Sequence, residues 1–352
     1  MKLTSLLLSS AAVLVAGSAF AADLPAKKAA PAAAVTACPA FGAGFFTIPG
    51  SDTCIKLGGF MNYMATYSDE DQSVAQAGNL RLTLDAQSNS EIGLIRGFGR
   101  IGNAGMEKAY VQFGGLTVGK NASLADIAGT NAWNYGSNLG GGSDIGATYS
   151  ATMGAVTFSL GIANSANNND TDTTATTVAG LTSTTTYSSG TPDLLAGISA
   201  KAGPVDVKLV GVSHTAVDAT GDTNGYAVVG RIGASVGGGF GVALFGGISE
   251  AAADYTGNIY TDTDGAGNTN TGSNIGGEIT LAAGNGTLAL AADQYTASLG
   301  TADATVTTYG ISYAYNVAKG LAVEPELVYT SSDDDGTTTE STTVYLRIQR
   351  DF

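Results

Sequence analysis

The sequence predicts an all-β protein, a transmembrane antiparallel β-barrel of about 16 strands, and three observations carry that expectation. The C-terminal stretch alternates between apolar and polar residues, the N-terminus carries an export signal with no membrane helix after it, and links between strand-like segments alternate between short and long.

From Thr343 to Phe352 the alternation holds until Arg350 breaks it. Val344, Leu346, Ile348 and Phe352 fall on one side, and Thr343, Tyr345, Arg347, Gln349 and Asp351 on the other, the period-2 pattern of a strand between two different solvents. A barrel strand with lipid outside and water inside fits these residues, as does a two-faced edge strand of a soluble protein. The N-terminus separates the two. Met1-Lys2 starts positive, Leu6 to Ala16 is apolar apart from Ser9 and Ser10, and Ala19-Phe20-Ala21 has the small-x-small cleavage pattern. Residues 1–21 are therefore a secretory signal peptide, and the mature chain begins at Ala22. No later stretch reaches the roughly 18 to 20 apolar residues of a membrane helix. An exported chain that spans a membrane without helices does so as a closed sheet, because every backbone polar group must be paired in lipid.

Residues 22–54 form an N-terminal periplasmic spacer, Ala/Pro-rich at first and ending in the pair Cys38 and Cys54, and residues 55–352 form the barrel. Strands are expected at 55–67, 77–88, 91–101, 106–114, 115–122, 143–151, 155–163, 193–202, 204–214, 223–236, 240–251, 273–283, 287–297, 304–316, 321–331 and 338–352. Short links such as Ser88-Asn89-Ser90, Gly203-Pro204 and Gly284-Asn285-Gly286 are built of turn formers. The long links 123–142, 164–192, 215–222 and 252–272 are rich in Asn, Asp, Thr and Gly. Tight turns at one end and longer loops at the other are the asymmetry of an outer-membrane barrel.

Alternation assigns faces. Leu80, Leu82 and Leu84 point to lipid while Asn79, Arg81, Thr83 and Asp85 point to the lumen, and Arg96, Phe98 and Arg100 share the inner face of the next strand. A lipid-facing Arg or Lys costs about 2–4 kcal/mol at the midplane, so the charges belong inside. A barrel of about sixteen strands is too wide for side chains to fill and leaves an aqueous lumen.

Composition narrows the partners. The chain has 50 glycines and 13% charged residues, with 30 acidic against 15 basic groups, and removal of Lys2 with the signal lowers the basic count further. Nucleic acid and anionic lipid both demand a basic surface, so neither is an expected partner. Cys38 and Cys54, the only cysteines of an exported chain, form a disulfide in an oxidising compartment. A metal site lacks further ligands nearby. Gly97 to Gly102 matches G-x-G-x-x-G but lies in a strand pattern, and Gly114 to Lys120 resembles a P-loop but has Asn121 where Ser or Thr must hold magnesium. Asp262-Thr263-Asp264-Gly265 begins like a calcium loop but has Ala266 at the fifth position and Ser273 at the twelfth. His214, the only histidine, ends a strand without a recognisable nucleophile partner and is expected at the external rim. No enzyme, metal or cofactor is expected.

The run from Cys38-Pro39-Ala40-Phe41 through Thr47-Ile48-Pro49-Gly50 to Cys54-Ile55-Lys56-Leu57-Gly58-Gly59 resembles the opening signature of the alphaproteobacterial general porin family. Ala109-Tyr110-Val111-Gln112-Phe113-Gly114-Gly115-Leu116 and the ending Arg347-Ile348-Gln349-Arg350-Asp351-Phe352 extend the resemblance over the mature chain, and Arg350 belongs to that ending. The resemblance implies a homotrimeric outer-membrane channel for passive diffusion of small hydrophilic solutes and ions. A structural or adhesive surface barrel with a plugged lumen is the competing class. The link at Gly102–Gly105 is shorter than the family's external loop there, which removes a subunit-latching role from it. The resemblance further implies that residues 123–142, the third external loop, fold inward. Trp133 and Tyr135 then pack the loop on the wall, and Asp126 faces Lys56, Arg81, Arg96 and Arg100 across a constriction. Phe352 resembles the assembly signal read by the barrel insertion machinery. Ala22-Asp23 looks like the start through which some alphaproteobacterial barrels are joined to peptidoglycan. The remaining implied partners are outer-membrane lipid and lipopolysaccharide.

Overall fold

The structure, a computed structural model, describes residues 36–131, 139–140, 142–164, 172–178, 181–187, 191–218, 221–257, 261–263 and 268–352. A 3-10 turn at Pro39–Phe41 and the two-residue strand β1 (Phe46–Thr47) precede seven barrel strands. These are β2 (Cys54–Ser68), β3 (Ser73–Ser90), β4 (Gly93–Gly102), β5 (Gly105–Phe113), β6 (Leu116–Ala122), β7 (Ser143–Met153) and β8 (Val156–Ala163). A hairpin of β9 (Asp172–Val178) and β10 (Leu181–Tyr187) forms its own two-stranded sheet. Nine further barrel strands follow: β11 (Asp193–Ala202), β12 (Val205–Asp218), β13 (Gly221–Val236), β14 (Phe240–Glu250), β15 (Asn270–Ala283), β16 (Gly286–Leu299), β17 (Ala302–Ala318), β18 (Leu321–Asp334) and β19 (Thr337–Asp351).

Each barrel strand pairs antiparallel with its sequence neighbour, β8 pairs with β11, and β19 pairs with β2, so sixteen strands close on themselves. Closure leaves the barrel itself without a free sheet edge. All sixteen expected segments are strands, with ends within four residues of those read from the sequence. Two Thr-rich links differ. Residues 215–222, expected as a loop, continue the β12–β13 ladder through Thr215↔Asn224 and Val217↔Asp222, and the 164–192 link contains the β9–β10 hairpin. Thr has β-propensity as well as loop polarity, and only the partner strand decides which is expressed.

The outer face is an exposed apolar belt, represented by Leu57, Met61, Leu160, Leu244 and Ile275. Apolar surface on that scale requires lipid rather than water. The predicted faces hold: Leu80, Leu82 and Leu84 are exposed outside, while Asn79 accepts and donates hydrogen bonds among Asn62 and Asn103 and Arg81 meets Glu107 within. Arg350, which breaks the alternation of β19, donates to the carbonyl of Lys319 in the β17–β18 turn at 2.5 Å. An outward-parity cation is tolerated there because it sits at a strand end.

The seam closes at the C-terminus. Phe352 N–H donates to Gly59 O at 3.1 Å and Gly59 N–H donates to Phe352 O at 3.2 Å. Gly59 has φ +152°, and a Cβ there would lie 2.0 Å from the Arg81 carbonyl, so no other residue fits. Below the seam β1 pairs with Cys54 and Ile55, continuing the β2 ladder past the end of β19. The disulfide Cys38–Cys54, with Cα atoms 6.2 Å apart, fixes this hairpin and packs with Phe45 and Phe41.

Candidate functional site

The link between β6 and β7 folds into the barrel because both it and the wall beneath it are apolar. Leu195, Val210, Val212, Val229 and Phe245 point inward from β11–β14 and are buried against Ala125, Ile127, Ala128 and Leu139 of the link. Burying one large aliphatic side chain is worth about 1.5–3 kcal/mol, against about 1–2 kcal/mol to fix the backbone of the residue that carries it. Gly247 of β14 makes room: a Cβ there would lie 3.0 Å from Leu139 Cδ1 and 2.7 Å from Val229 Cγ1. The root of the loop is tied by Ser123 N–H to Gly142 O at 3.0 Å. Its far part is tied by Asn131, whose backbone N–H and side-chain amide donate to the two carboxylate oxygens of Glu278 on β15 at 2.5 and 2.6 Å. From β6 to β15 is seven steps around a sixteen-strand wall, so the link crosses the lumen.

Asp126 lies on this crossing. Its nearest cationic influences are Lys208 of β12 and Lys108 of β5, and Lys208 Nζ donates to its main-chain carbonyl at 3.5 Å. Although the Asp126 side chain reaches channel water, the surrounding protein raises its carboxyl pKa by desolvation, and the two lysines oppose that rise.

The wall from β2 to β5 carries a different surface. Arg96 forms a bidentate pair with Asp85, at 2.9 Å through Nε and 2.8 Å through Nη2, and lies 5.2 Å from the Phe98 ring and 5.9 Å from the Tyr110 ring. Phe98 and Tyr110 stack with centroids 5.2 Å apart. Arg81 and Arg100 share Glu107, at 2.8 and 2.7 Å, and Arg81 also covers the Phe60 ring at 5.1 Å. Glu107 reaches them through a β-bulge. Arg100 pairs with Lys108 and Ile101 with Met106, so Glu107 is the extra residue and both charged neighbours turn inward. A Cβ on Gly102 would lie 2.1 Å from Glu107 Oε1, so the carboxylate as placed occupies the space a side chain there would take. Among the described residues Lys108 makes no salt bridge.

A second loop, after β14, also turns inward. Its 3-10 turn Ala253–Tyr255 buries Tyr255 completely in the same apolar cluster, and Tyr255 O accepts the Gly140 N–H at 3.0 Å. The Tyr255 hydroxyl donates to Asp193 at 2.5 Å, and its pKa is raised by burial and then by that carboxylate, which keeps it protonated. His214 is not a rim residue. It is 2% exposed, with Nδ1 2.7 Å from Asp193 and Nε2 3.2 Å from Asp262. The expectation failed because both partners are distant in sequence and reach His214 only through a strand neighbour and a folded loop.

Of the sequence-predicted residues, Arg81, Arg96 and Arg100 share one wall, already matched with carboxylates. Lys56 lies near the N-terminal end of β2 with its ammonium 5.9 Å from the Phe45 ring. Trp133, Tyr135 and Ala22, like the signal peptide, lie outside the described residues. Glu107, Lys108, Lys208, Asn131 and Glu278 were missed. Adjacent charges at Glu107-Lys108 in a membrane strand were a readable sign of a bulge, since strict alternation sends one of them into lipid. Lys208 has the inward parity of its strand. Asn131 and Glu278 are 147 residues apart, and nothing local links them.

Gly97–Gly102 lies within β4, which disposes of a dinucleotide turn. No group of three or more His, Cys, Asp or Glu suited to a metal occurs among the described residues.

Solved structures with the same architecture include the outer membrane channel DcaP of Acinetobacter baumannii, at TM-score 0.72 and 16% identity over 87% of this chain and 99% of that one. Others are the outer-membrane expressed OmpT of Vibrio cholerae, at TM-score 0.63 and 11% identity over 87% and 99%, and an anion-selective porin from Comamonas acidovorans, at 0.60 and 14% over 85% and 100%. At these identities the likeness concerns the fold. Porin Omp2b of Brucella suis is 34% identical over 151 residues, covering 35% of this chain and 42% of that protein. Porin Omp2b of Brucella melitensis is 35% identical over the same length. The chain therefore spans about two fifths of the length of the curated relatives it matches. The family model for the Porin subfamily matches residues 23–351, nearly the whole chain, and the protein belongs to that family.

Proposed function

We propose that the protein is an outer-membrane porin, a passive water-filled channel for small hydrophilic solutes and ions, narrowed by residues 123–142. The observation that carries this reading is the loop crossing itself, anchored at Ser123 and at Glu278, with Asp126 under the influence of Lys108 and Lys208. Carboxylates facing cations across a narrow passage set up a transverse field that orders ions and water while leaving the passage open. The channel does no chemistry. Family membership favours a homotrimer in the bacterial outer membrane, surrounded by lipid and lipopolysaccharide.

Arg81, Arg96 and Arg100 act largely as a neutralised, rigid rim, because Asp85 and Glu107 already meet them. Lys108 and Lys208 contribute more field per charge. Single-channel recording with reversal potentials in a salt gradient tests this. Stable open steps are expected. Lys108→Gln with Lys208→Gln shifts preference toward cations, and so does Arg96→Gln with Arg100→Gln. Shortening 127–140 raises conductance. Correctly folded protein that shows no conductance steps establishes the plugged structural or adhesive barrel instead.

The remaining assignments concern biogenesis. Residues 1–21 are removed, residues 22–54 lie in the periplasm, Phe352 is read by the insertion machinery, and Ala22 is a point of attachment to peptidoglycan. Deletion of Phe352 lowers outer-membrane yield. Muramidase-digested cell wall releases an Ala22 peptide carrying a muropeptide mass, and its absence removes the attachment.

A further inference from the structure

We propose that His214 is a proton-operated latch, which holds the loop after β14 against the wall and thereby fixes the inward loop that narrows the channel. The inference rests on the constriction assigned above.

His214 projects inward from β12 and places both ring nitrogens on carboxylates, Nδ1 on Asp193 of β11 and Nε2 on Asp262 of the loop after β14. Only the imidazolium has two N–H donors; a neutral ring turns one lone pair toward a carboxylate. The groups around it are predominantly acidic. Tyr255 meets the ring edge-on at 6.2 Å, Asp144 of β7 acts on Asp193 and Tyr255, and Asp254 acts on Tyr255. On the neighbouring strand β13, Gly225 lies opposite and presents no charge.

The two contacts are not equivalent. Asp193 is fully buried and also accepts the Tyr255 hydroxyl, whereas Asp262 is 10% exposed and its contact is the longer one. The proton therefore leaves Nε2 for water. The lone pair left behind faces Asp262 at 3.2 Å and repels it. Asp262 also accepts the Ala253 N–H at 2.6 Å, which opens the 3-10 turn bearing Tyr255. Tyr255 in turn holds Gly140 of the inward loop by its carbonyl and shares the buried apolar cluster with Leu139. Loss of one proton thus loosens a continuous chain of contacts from the wall to the constriction. The latch is closed while His214 is protonated and opens as pH rises through its titration.

Because His214 is the only histidine, ring 15N signals of selectively labelled full-length protein report it alone. The expected spectrum has two ring N–H groups at low pH and one at high pH. Over the same interval conductance in planar bilayers rises, and protease cleavage within 251–263 increases. In His214→Gln, which does not titrate, both pH-dependent changes are lost. In Asp262→Asn they are also lost, because the amide pairs with the ring in either state. A ring that titrates while conductance and cleavage stay flat overturns the latch and leaves the channel reading intact. A ring that never carries two N–H groups overturns it as well. Folded protein without conductance at any pH overturns the channel reading, and cleavage then decides the latch by itself.

Discussion

Along β2–β5 the inward residues include Phe60, Arg81, Asp85, Arg96, Arg100 and Glu107, and they meet one another and the lumen. Along β11–β14 they include Leu195, Val210, Val212, Val229 and Phe245, which meet the two inward loops. Both walls belong to one closed sheet with one outer solvent, yet the inner face of the first is a charged surface and that of the second is a protein core. An inner barrel face therefore carries whatever covers it. On the loop-covered wall apolar residues occupy both faces, as in the adjacent pairs Leu194 and Leu195 or Leu244 and Phe245, so alternation fades there.

The difference is broken most severely by placing a charge on the covered wall. Val229→Asp buries an unpaired carboxylate beneath the loop and is expected to cost about 3 kcal/mol or more. Thr83→Asp on the open wall, opposite Arg100 in the ladder, costs little. The temperature at which the heat-modifiable band is lost in gel electrophoresis measures both, and an equal drop for the two would show that the loop does not seal its wall.

Leu139→Ala comes next. It leaves a cavity between the loop and Val229 and is expected to cost about 2–4 kcal/mol in the stability of the docked loop. The readout is increased open-channel noise with an unchanged outer barrel, and quiet recordings at wild-type conductance would remove Leu139 from the anchor.

Tyr255→Phe keeps the ring and deletes only the donor to Asp193. A loss of about 1–2 kcal/mol follows, because a buried carboxylate gives up one hydrogen bond. Faster hydrogen exchange confined to the loop after β14 is the expected signature; protection unchanged in that segment would contradict it.

The smallest stability effect and the clearest electrical one come from the open wall. Glu107→Gln leaves Arg81 and Arg100 without a countercharge, at about 1 kcal/mol because both are part-exposed. Reversal potential is expected to move toward anions. A shift toward cations would mean that Glu107 does not neutralise the rim.

The sixteen strands were legible because lipid and water impose period 2 on each strand, and turn formers mark where each stops. The short turns were legible for the same reason, and the disulfide because Cys38 and Cys54 have only each other. Arg81, Arg96 and Arg100 were placed inside by the cost of charge in lipid. Their partner Glu107 was not, since a bulge breaks the period that located them. His214 was visible only as a solitary histidine, because Asp193 and Asp262 approach it through the β11–β12 pairing and a loop fold with no local signature.

By itself the sequence determined the strand count, the outward face and the closing strand, since each follows from contact with a bulk phase whose preference any residue obeys locally. Tertiary structure alone decided which part of the inner face is channel and which is core, where Asp126 stands, and what His214 touches. Those outcomes depend on chain segments meeting across the lumen, and Asn131 reaching Glu278 is a contact that no run of neighbouring residues encodes.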